Sequence, residues 1–535
     1  MPGPPSPGGF FTSGPPSAVV GPWTRSQIGG IGFPFNSVGA ATAAGGPGVR
    51  VPGWTITPSL GVEQAYNDNI FFTPRNRVDD FITSVIPGLL LNVDTQRLQG
   101  TLNYAPSIQF YWQNSDQNRV SQFGNGQFLA TVVPDLFFVD LRGSASTQSA
   151  TGGFTPGTDA SVAKSDQVQT LTFSVSPYLV HRFGGLATAR LGYTYSYVNQ
   201  DTLDPNQQLL VGQQRFGFTP SEFSSNQGYL AVRTGENFGP LMMQASLSGT
   251  SYLGNGIYDG AYSNFATFET AYAFTRTIAG LVEIGYEDIY YNTVPRTEIS
   301  GPIWAVGTRL TPNPDSFIIA KYGRRYGFDS FFLDGTWAIG VRTNLSANYT
   351  DKLTSSGLDA GSLLSSITLD PLGNPVDAQT GVPVIPAFAN SFLGVQGGLY
   401  RQKQGIISIS QAWQRDTFTL SASQTEQIPI AVAPGSGQLN FNQKGTSFTF
   451  SWGHDLAEST RLTSYASYGY STQFQSVDST YYGLGMVLVH QINPALVGNI
   501  TYRLNVQDNG LSNTGQTQSG QAIQNVISVG LRQSF

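Results

Sequence analysis

The chain ends in Asn525-Val-Ile-Ser-Val-Gly-Leu-Arg-Gln-Ser-Phe535, a run in which apolar and polar residues alternate up to a terminal aromatic. In an extended strand, successive side chains point to opposite faces. Ile527, Val529, Leu531 and Phe535 therefore share one face, with Gln533 the exception. Ser528, Gly530, Arg532 and Ser534 share the other. The same period recurs along most of the sequence. Leu98, Leu102, Tyr104, Ile108, Phe110 and Trp112 alternate with Arg97, Gln99, Thr101, Asn103, Ser107 and Gln109. Leu191, Tyr193, Tyr195 and Tyr197 alternate with Arg190, Gly192, Thr194 and Ser196, and Phe448, Phe450 and Trp452 with Ser447, Thr449 and Ser451. A slip of one residue would put every polar side chain on the apolar face, so the pattern sets register strongly. A period of two, repeated this often, predicts an all-β chain with one apolar and one polar wall. That is a transmembrane antiparallel up-and-down β-barrel.

Composition agrees. Charged residues make up 11% of the chain, against ~25% in a typical soluble domain. Aromatics are 12%, with 25 Tyr and 34 Phe, yet mean hydropathy is only -0.12. No stretch approaches the ~20 continuous apolar residues that a spanning helix needs. A soluble β-solenoid or propeller is the competing architecture. The absence of cysteine removes disulfides, thiolate catalysis and Cys-ligated metals. A net charge of -6 gives nucleic-acid binding no electrostatic support.

Residues 1–53 are rich in Pro, Gly, Ser and Ala, which predicts a disordered lead segment ahead of a barrel over 54–535. Met1-Pro-Gly-Pro-Pro-Ser-Pro lacks the basic start and apolar core of a signal peptide. The expectation is that the export signal is missing from this sequence or that the start codon is displaced.

From Trp54 onward, short turns alternate with longer polar connections. The turns fall at 94–96, 134–135, 183–185, 237–239, 275–277, 312–315, 343–344, 415–416, 454–458 and 492–494. The longer connections fall at 67–80, 114–122, 148–167, 199–221, 254–262, 292–300, 326–331, 351–390, 428–442, 474–479 and 507–521. Barrels have short periplasmic turns and longer extracellular loops. Ten turns and eleven loops imply about 22 strands, with both ends of the barrel periplasmic. The connection 351–390 holds prolines at a density that resists a spanning strand. It either folds inward and narrows the pore or caps the surface.

The polar face carries few charges. Arg190, Arg233, Glu269, Glu283, Glu287, Arg309, Lys321, Arg325 and Arg342 are expected to face the lumen, since an Arg or Lys in the lipid midplane would cost ~2–4 kcal/mol. They form either a mixed-charge ladder that orients a polar solute or cross-strand pairs that brace the wall. Tyr111 and Tyr178, also expected inward, could stack on sugar rings.

No catalytic, cofactor-binding or metal-binding residues are expected. The three histidines, His181, His454 and His490, sit beside short turns and match no HExxH or spaced His/Asp pattern. Asp68, Asp79 and Asp80 lack EF-hand spacing and are read as solvated loop residues.

Several segments carry a family resemblance. Thr57-Pro-Ser-Leu-Gly-Val-Glu-Gln-Ala-Tyr-Asn-Asp-Asn69, followed by Asp80-Phe-Ile-Thr-Ser-Val-Ile-Pro-Gly88, resembles the opening hairpin of the beta-barrel porin 2 family. Trp413-Gln-Arg-Asp-Thr-Phe-Thr-Leu-Ser-Ala-Ser423 and Gly445-Thr-Ser-Phe-Thr-Phe-Ser-Trp-Gly-His-Asp-Leu456 resemble its later strands. The family consists of outer-membrane barrels and includes members associated with exopolysaccharide and PEP-CTERM gene systems. The likeness spans about residues 54–535. It implies a place in the Gram-negative outer membrane and a role in envelope transport or polysaccharide export, and it brings no catalytic residues. Phe535 resembles the terminal aromatic that such barrels present to their insertion machinery.

The leading expectation is a pore or export conduit for polar solutes, polysaccharide among them. The alternative is a structural or adhesive barrel with a closed lumen and partner-binding loops. A rim hydrolase using His454 or His490 is the third. Expected partners are outer-membrane lipid, the insertion machinery and a saccharide or other polar solute.

Overall fold

The computed structural model describes residues 53–149, 163–203, 210–211, 214–215, 220–314, 316–369, 375–377, 393, 395–435, 441–473, 477–509 and 520–535. The expectation for the lead segment lies outside these residues, apart from Gly53. One sheet of 24 segments closes on itself. Two barrel strands are each broken into two segments, Leu98–Tyr104 with Ser107–Tyr111 and Arg119–Ser121 with Gly124–Val133, so the wall has 22 antiparallel strands. The first strand, Gly53–Asn67, pairs with the last, Gly520–Ser534, in a register that sets Ser59 opposite Ser534. The Phe535 N–H donates to Pro58 O at 2.9 Å at the foot of this seam. At its other end, Asn69 donates to Ile523 O at 3.0 Å and Gln524 donates to Asn69 O at 2.8 Å.

The first and last strands join, so the sheet closes on itself, as a sheet that crosses a bilayer must. The outer face is the apolar one: Ile527, Val529 and Leu531 are each about half exposed, while Ser528 and Arg532 on the opposite face are buried. Aromatics gather toward both ends of the outer face. Tyr66, Phe81 and Trp112 lie in contact, with ring centroids 5.0 and 5.8 Å apart. Near the opposite end, Trp413, Phe418 and Trp452 form a second group. These are the girdles that mark the two interfaces of a barrel. A closed antiparallel barrel with this exterior is a protein of the Gram-negative outer membrane.

Where the connections are described they follow the expected alternation, with two differences; much of the expected loops 148–167, 199–221, 428–442, 474–479 and 507–521 lies outside the described residues. The expected loop 326–331 is a two-residue hairpin turn, Tyr326-Gly327, between the short strands Phe317–Arg325 and Phe328–Ala338. Both turn residues have positive φ, 55° and 76°, the geometry that matches strand twist in tight hairpins. In place of the expected loop 351–390, the strand Thr343–Thr354 runs further, and an α-helix, Ser356–Ser366, follows it. Ser355 caps that helix, its hydroxyl accepting the Leu358 N–H at 3.2 Å. Residues 370–374 and 378–390 of the same connection lie outside the described residues.

Candidate functional site

The functional surface of a barrel is its inner face, and two parts of it are informative here. The first is the charged wall. Lys321, on Phe317–Arg325, lies 3.1 Å from Glu269 and 3.2 Å from Glu283, which sit on the strands Tyr262–Ala273 and Ile278–Tyr291. Arg325 lies 3.9 Å from Glu283, with its guanidinium over the Phe265 ring. The Glu287 carboxylate accepts the backbone N–H groups of Tyr326 and Gly327, each at 2.9 Å, and so anchors the tight hairpin turn. These five side chains cross-brace the wall.

Arg190, Arg233 and Arg309 behave differently. Each is half-buried on the inner face, and none makes an ion pair with another described residue. The Arg190 guanidinium lies 4.0 Å above the Tyr178 ring and 5.5 Å from that of Tyr229. Arg233 and Arg309 stand within electrostatic reach of each other and of Glu269. Arg342 is not on the wall at all. It is exposed in the short turn between Phe328–Ala338 and Thr343–Thr354, because the latter strand starts one residue later than the alternation needs. Tyr111 and Tyr178 are both buried, and each carries an arginine over its ring: Arg119 at 5.3 Å and Arg190 at 4.0 Å.

Sequence reasoning missed further inner-face charges. Asp140 and Arg142 form a two-point ion pair at 3.0 and 2.9 Å on Phe137–Ser149. Glu63 hydrogen-bonds Ser528 and attracts Arg503 across the closing seam. The alternation that placed Arg532 inward also covers these residues, so the signal was present.

The second part is the mouth. The strand Thr343–Thr354 pairs with Gly398–Ala412 without a break in register, so Leu353, Leu399 and Arg401 carry the same outward parity as Ile407 and Ile409. Ile407 and Ile409 are exposed, whereas Leu353 and Leu399 are buried. They pack with Phe265, Ile289, Tyr291 and Ile303, which belong to the inner faces of three other strands. The outer face of one part of the wall is therefore layered onto the inner face of another. The upper ends of Thr343–Thr354 and Gly398–Ala412 have folded inside the barrel, above the short hairpin. Arg401 fixes the overlap. Its guanidinium pairs with Asp351, lies 3.9 Å over the Phe328 ring and donates to Asp329 O at 3.2 Å. The Val294 and Val432 backbones bridge at the rim through hydrogen bonds of 2.8 and 3.1 Å.

The helix Ser356–Ser366 sits on the inner side of these folded-in strand ends. Its Asp359 carboxylate is buried. It accepts from Thr354 at 2.9 Å, Lys352 at 2.7 Å and Tyr400 at 3.2 Å, and, with the Gln402 amide turned, from Gln402 at 3.0 Å. The helix's other side faces the opposite wall, where Ala360 packs with Val198, Phe223 and Tyr258. Of the two readings of this connection, an inward fold and a surface cap, residues 351–366 follow the inward fold.

The remaining candidates are individually engaged. His454 Nδ1 is 2.8 Å from Asp416, His490 Nδ1 is 2.8 Å from Thr460, and His181 lies edge-on to Phe183. Asp80 accepts the backbone N–H groups of Trp112, Gln113 and Asn114, while Asp68 binds Asn525 and Asp79 binds Tyr66. Among the described residues, no group of three or more His, Asp or Glu is placed to hold a metal ion.

No protein-family model and no curated protein matches the chain, so the beta-barrel porin 2 resemblance stands on its residues alone. Solved structures do match. The FrpB iron transporter from Neisseria meningitidis (F5-1 variant) is 9% identical over 90% of this chain and 81% of its own, with a TM-score of 0.48. The siderophore receptor PirA from Acinetobacter baumannii is 10% identical over 91% and 81%, with a TM-score of 0.46. OccK2 from Pseudomonas aeruginosa, solved with glucuronate, is 8% identical over 90% and 98%, with a TM-score of 0.34. At these identities and scores, the solutes of those proteins say nothing about this one.

Proposed function

We propose that the chain is an outer-membrane pore for small polar solutes, with its lumen narrowed at one end by its own wall. The observation that carries this reading is the pair of faces: an apolar exterior around an interior lined by Ser, Thr, Gln, Asn and charged side chains. A barrel of this strand number encloses more space than its inward side chains alone can fill. Paired acids and bases brace the wall, and the guanidiniums of Arg233 and Arg309 remain for solute. That mixture suits hydroxyl-rich and weakly anionic molecules. The inward strand ends and helix favour small solutes over a polymer. Polysaccharide export would need that layer displaced.

The packed mouth supports a second reading, a structural or adhesive barrel whose lumen stays shut and whose loops bind partners. Swelling of proteoliposomes in neutral sugars separates the two. A pore admits the smallest sugars fastest, with rates falling as sugar size rises. Folded, inserted protein that admits none of them supports the structural reading instead.

A further inference from the structure

Toward the short turns, the polar lining of the inner wall gives way to an apolar patch. Gln244, Glu269, Glu283 and Lys321 point inward on Leu241–Gly254, Tyr262–Ala273, Ile278–Tyr291 and Phe317–Arg325. At the next inward position of the same strands stand Met242, Ala271, Leu281 and Ile319. Ala271, Leu281 and Ile319 are buried together, and the half-buried Met242, Phe317 and Phe332 pack against them. Apolar side chains left partly exposed in a wet lumen gain free energy when an apolar body covers them. The patch lies at the opposite end of the barrel from the narrowed mouth, so the inward strand ends do not supply that cover.

Two guanidiniums flank the patch. Arg309 lies directly across the ladder from Ile319, and Arg233 across from Gln244, two residues from Met242. They stand within electrostatic reach of each other, and neither is ion-paired with another described residue. The nearby acids are already engaged. Glu269 and Glu283 share Lys321 at 3.1 and 3.2 Å, and Asp334, across the ladder from Ile319 on its other side, accepts from Asn348 at 3.5 Å.

We infer that the patch and its two arginines are a binding site for small amphipathic anions. A carboxylate is held by Arg233 and Arg309, and a short apolar chain or ring lies on Met242, Phe317 and Phe332. Guanidinium N–H groups match a carboxylate in geometry and charge, and Met beside Phe adapts to apolar bodies of different shape. A sugar or an inorganic anion would engage the arginines and leave the patch wet. The inference deepens the pore reading by naming a class of solute, and it rests on that reading for the solute's passage.

The test is a ligand-observed NMR titration of the full-length protein folded in detergent micelles, with protein-free micelles as background. Hexanoate carries both charge and chain, acetate the charge alone, and hexanol the chain alone. The inference predicts that hexanoate binds about tenfold more tightly than acetate or hexanol, as partial burial of its extra methylenes supplies. Arg233→Ala with Arg309→Ala brings hexanoate down to the level of hexanol, and Met242→Gln brings it closer to acetate. Heat-dependent gel migration checks that each variant is folded, and the three probes test the wild-type protein whether or not a variant folds. Equal affinity for hexanoate and acetate, or for hexanoate and hexanol, would overturn the inference. So would hexanoate binding that is unaltered by loss of both arginines. Proteoliposomes that swell in sugars, from a protein without selective hexanoate binding, would overturn the site and leave the pore reading standing. Selective binding in a barrel that admits no sugar would support the site and remove the pore reading.

Discussion

Lys321 Nζ lies 3.2 Å from Glu283 Oε2, and both side chains are almost wholly buried in the barrel wall. The same ammonium reaches Glu269 at 3.1 Å. Glu269 and Glu283 sit on neighbouring strands and Lys321 two strands further on, so the cluster ties together a stretch of wall that leads up to the short hairpin.

Removing the ammonium leaves two carboxylates facing each other without their shared counter-charge. Breaking one partner out of a buried ion pair typically costs ~3–5 kcal/mol. Lys321→Met is expected to lower the urea midpoint of the inserted barrel by a corresponding amount. Lys321→Met combined with Glu269→Gln is expected to lose less than Lys321→Met alone. A double variant worse than the single one would show that the charges act independently.

The arginines outside the ion pairs should set ion selectivity. Arg233→Ala with Arg309→Ala removes two positive charges from the inner face without stranding a partnered acid. The reversal potential under a salt gradient is expected to move toward cations. Arg325→Ala should move it less, because Arg325 is spent on Glu283 and the Phe265 ring. The opposite ranking would mean that Arg325, not the other two, meets solute.

Glu287 tests the hairpin anchor. Its carboxylate is the acceptor for both turn N–H groups. Hydrogen bonds to a charged group are worth ~1.5–3 kcal/mol, and Glu287→Ala is expected to cost about that much. Protease cleavage confined to residues 326–327 should accompany the loss. An unchanged cleavage pattern would show that the turn holds itself.

Much of this was legible in the sequence because the side-chain period of a strand is local information. Ile527, Val529 and Leu531 face outward as their alternation predicts, and the turn chemistry fixed the strand count. The pairing of Lys321 with Glu269 and Glu283 was not legible, since it depends on register between strands. The helix was hidden by composition. Ser356-Gly-Leu-Asp-Ala-Gly-Ser-Leu-Leu-Ser-Ser366 contains two glycines and four serines, which are weak helix formers that read as loop. The folded-in strand ends did leave a trace. Asp351, Arg401 and Lys403 occupy outward parity, where lipid would meet charge, and a wall that truly faced the bilayer would not place them there.

Phe535 offers a test of assembly apart from stability. The residue is 75% exposed, while its backbone N–H closes the foot of the seam on Pro58 O. Deleting it removes one hydrogen bond and little packing. We expect a large fall in the amount inserted in cells, with near-normal refolding in detergent. Equal loss in both settings would make Phe535 a structural residue and not an assembly signal.

The central claim, that the lumen conducts, is tested most directly by single-channel recording of the full-length protein in planar bilayers. The account predicts discrete conductance steps separated by closed intervals, with a reversal potential weakly on the anion side. A barrel shown to be folded and inserted that stays electrically silent at every voltage and salt concentration would contradict it.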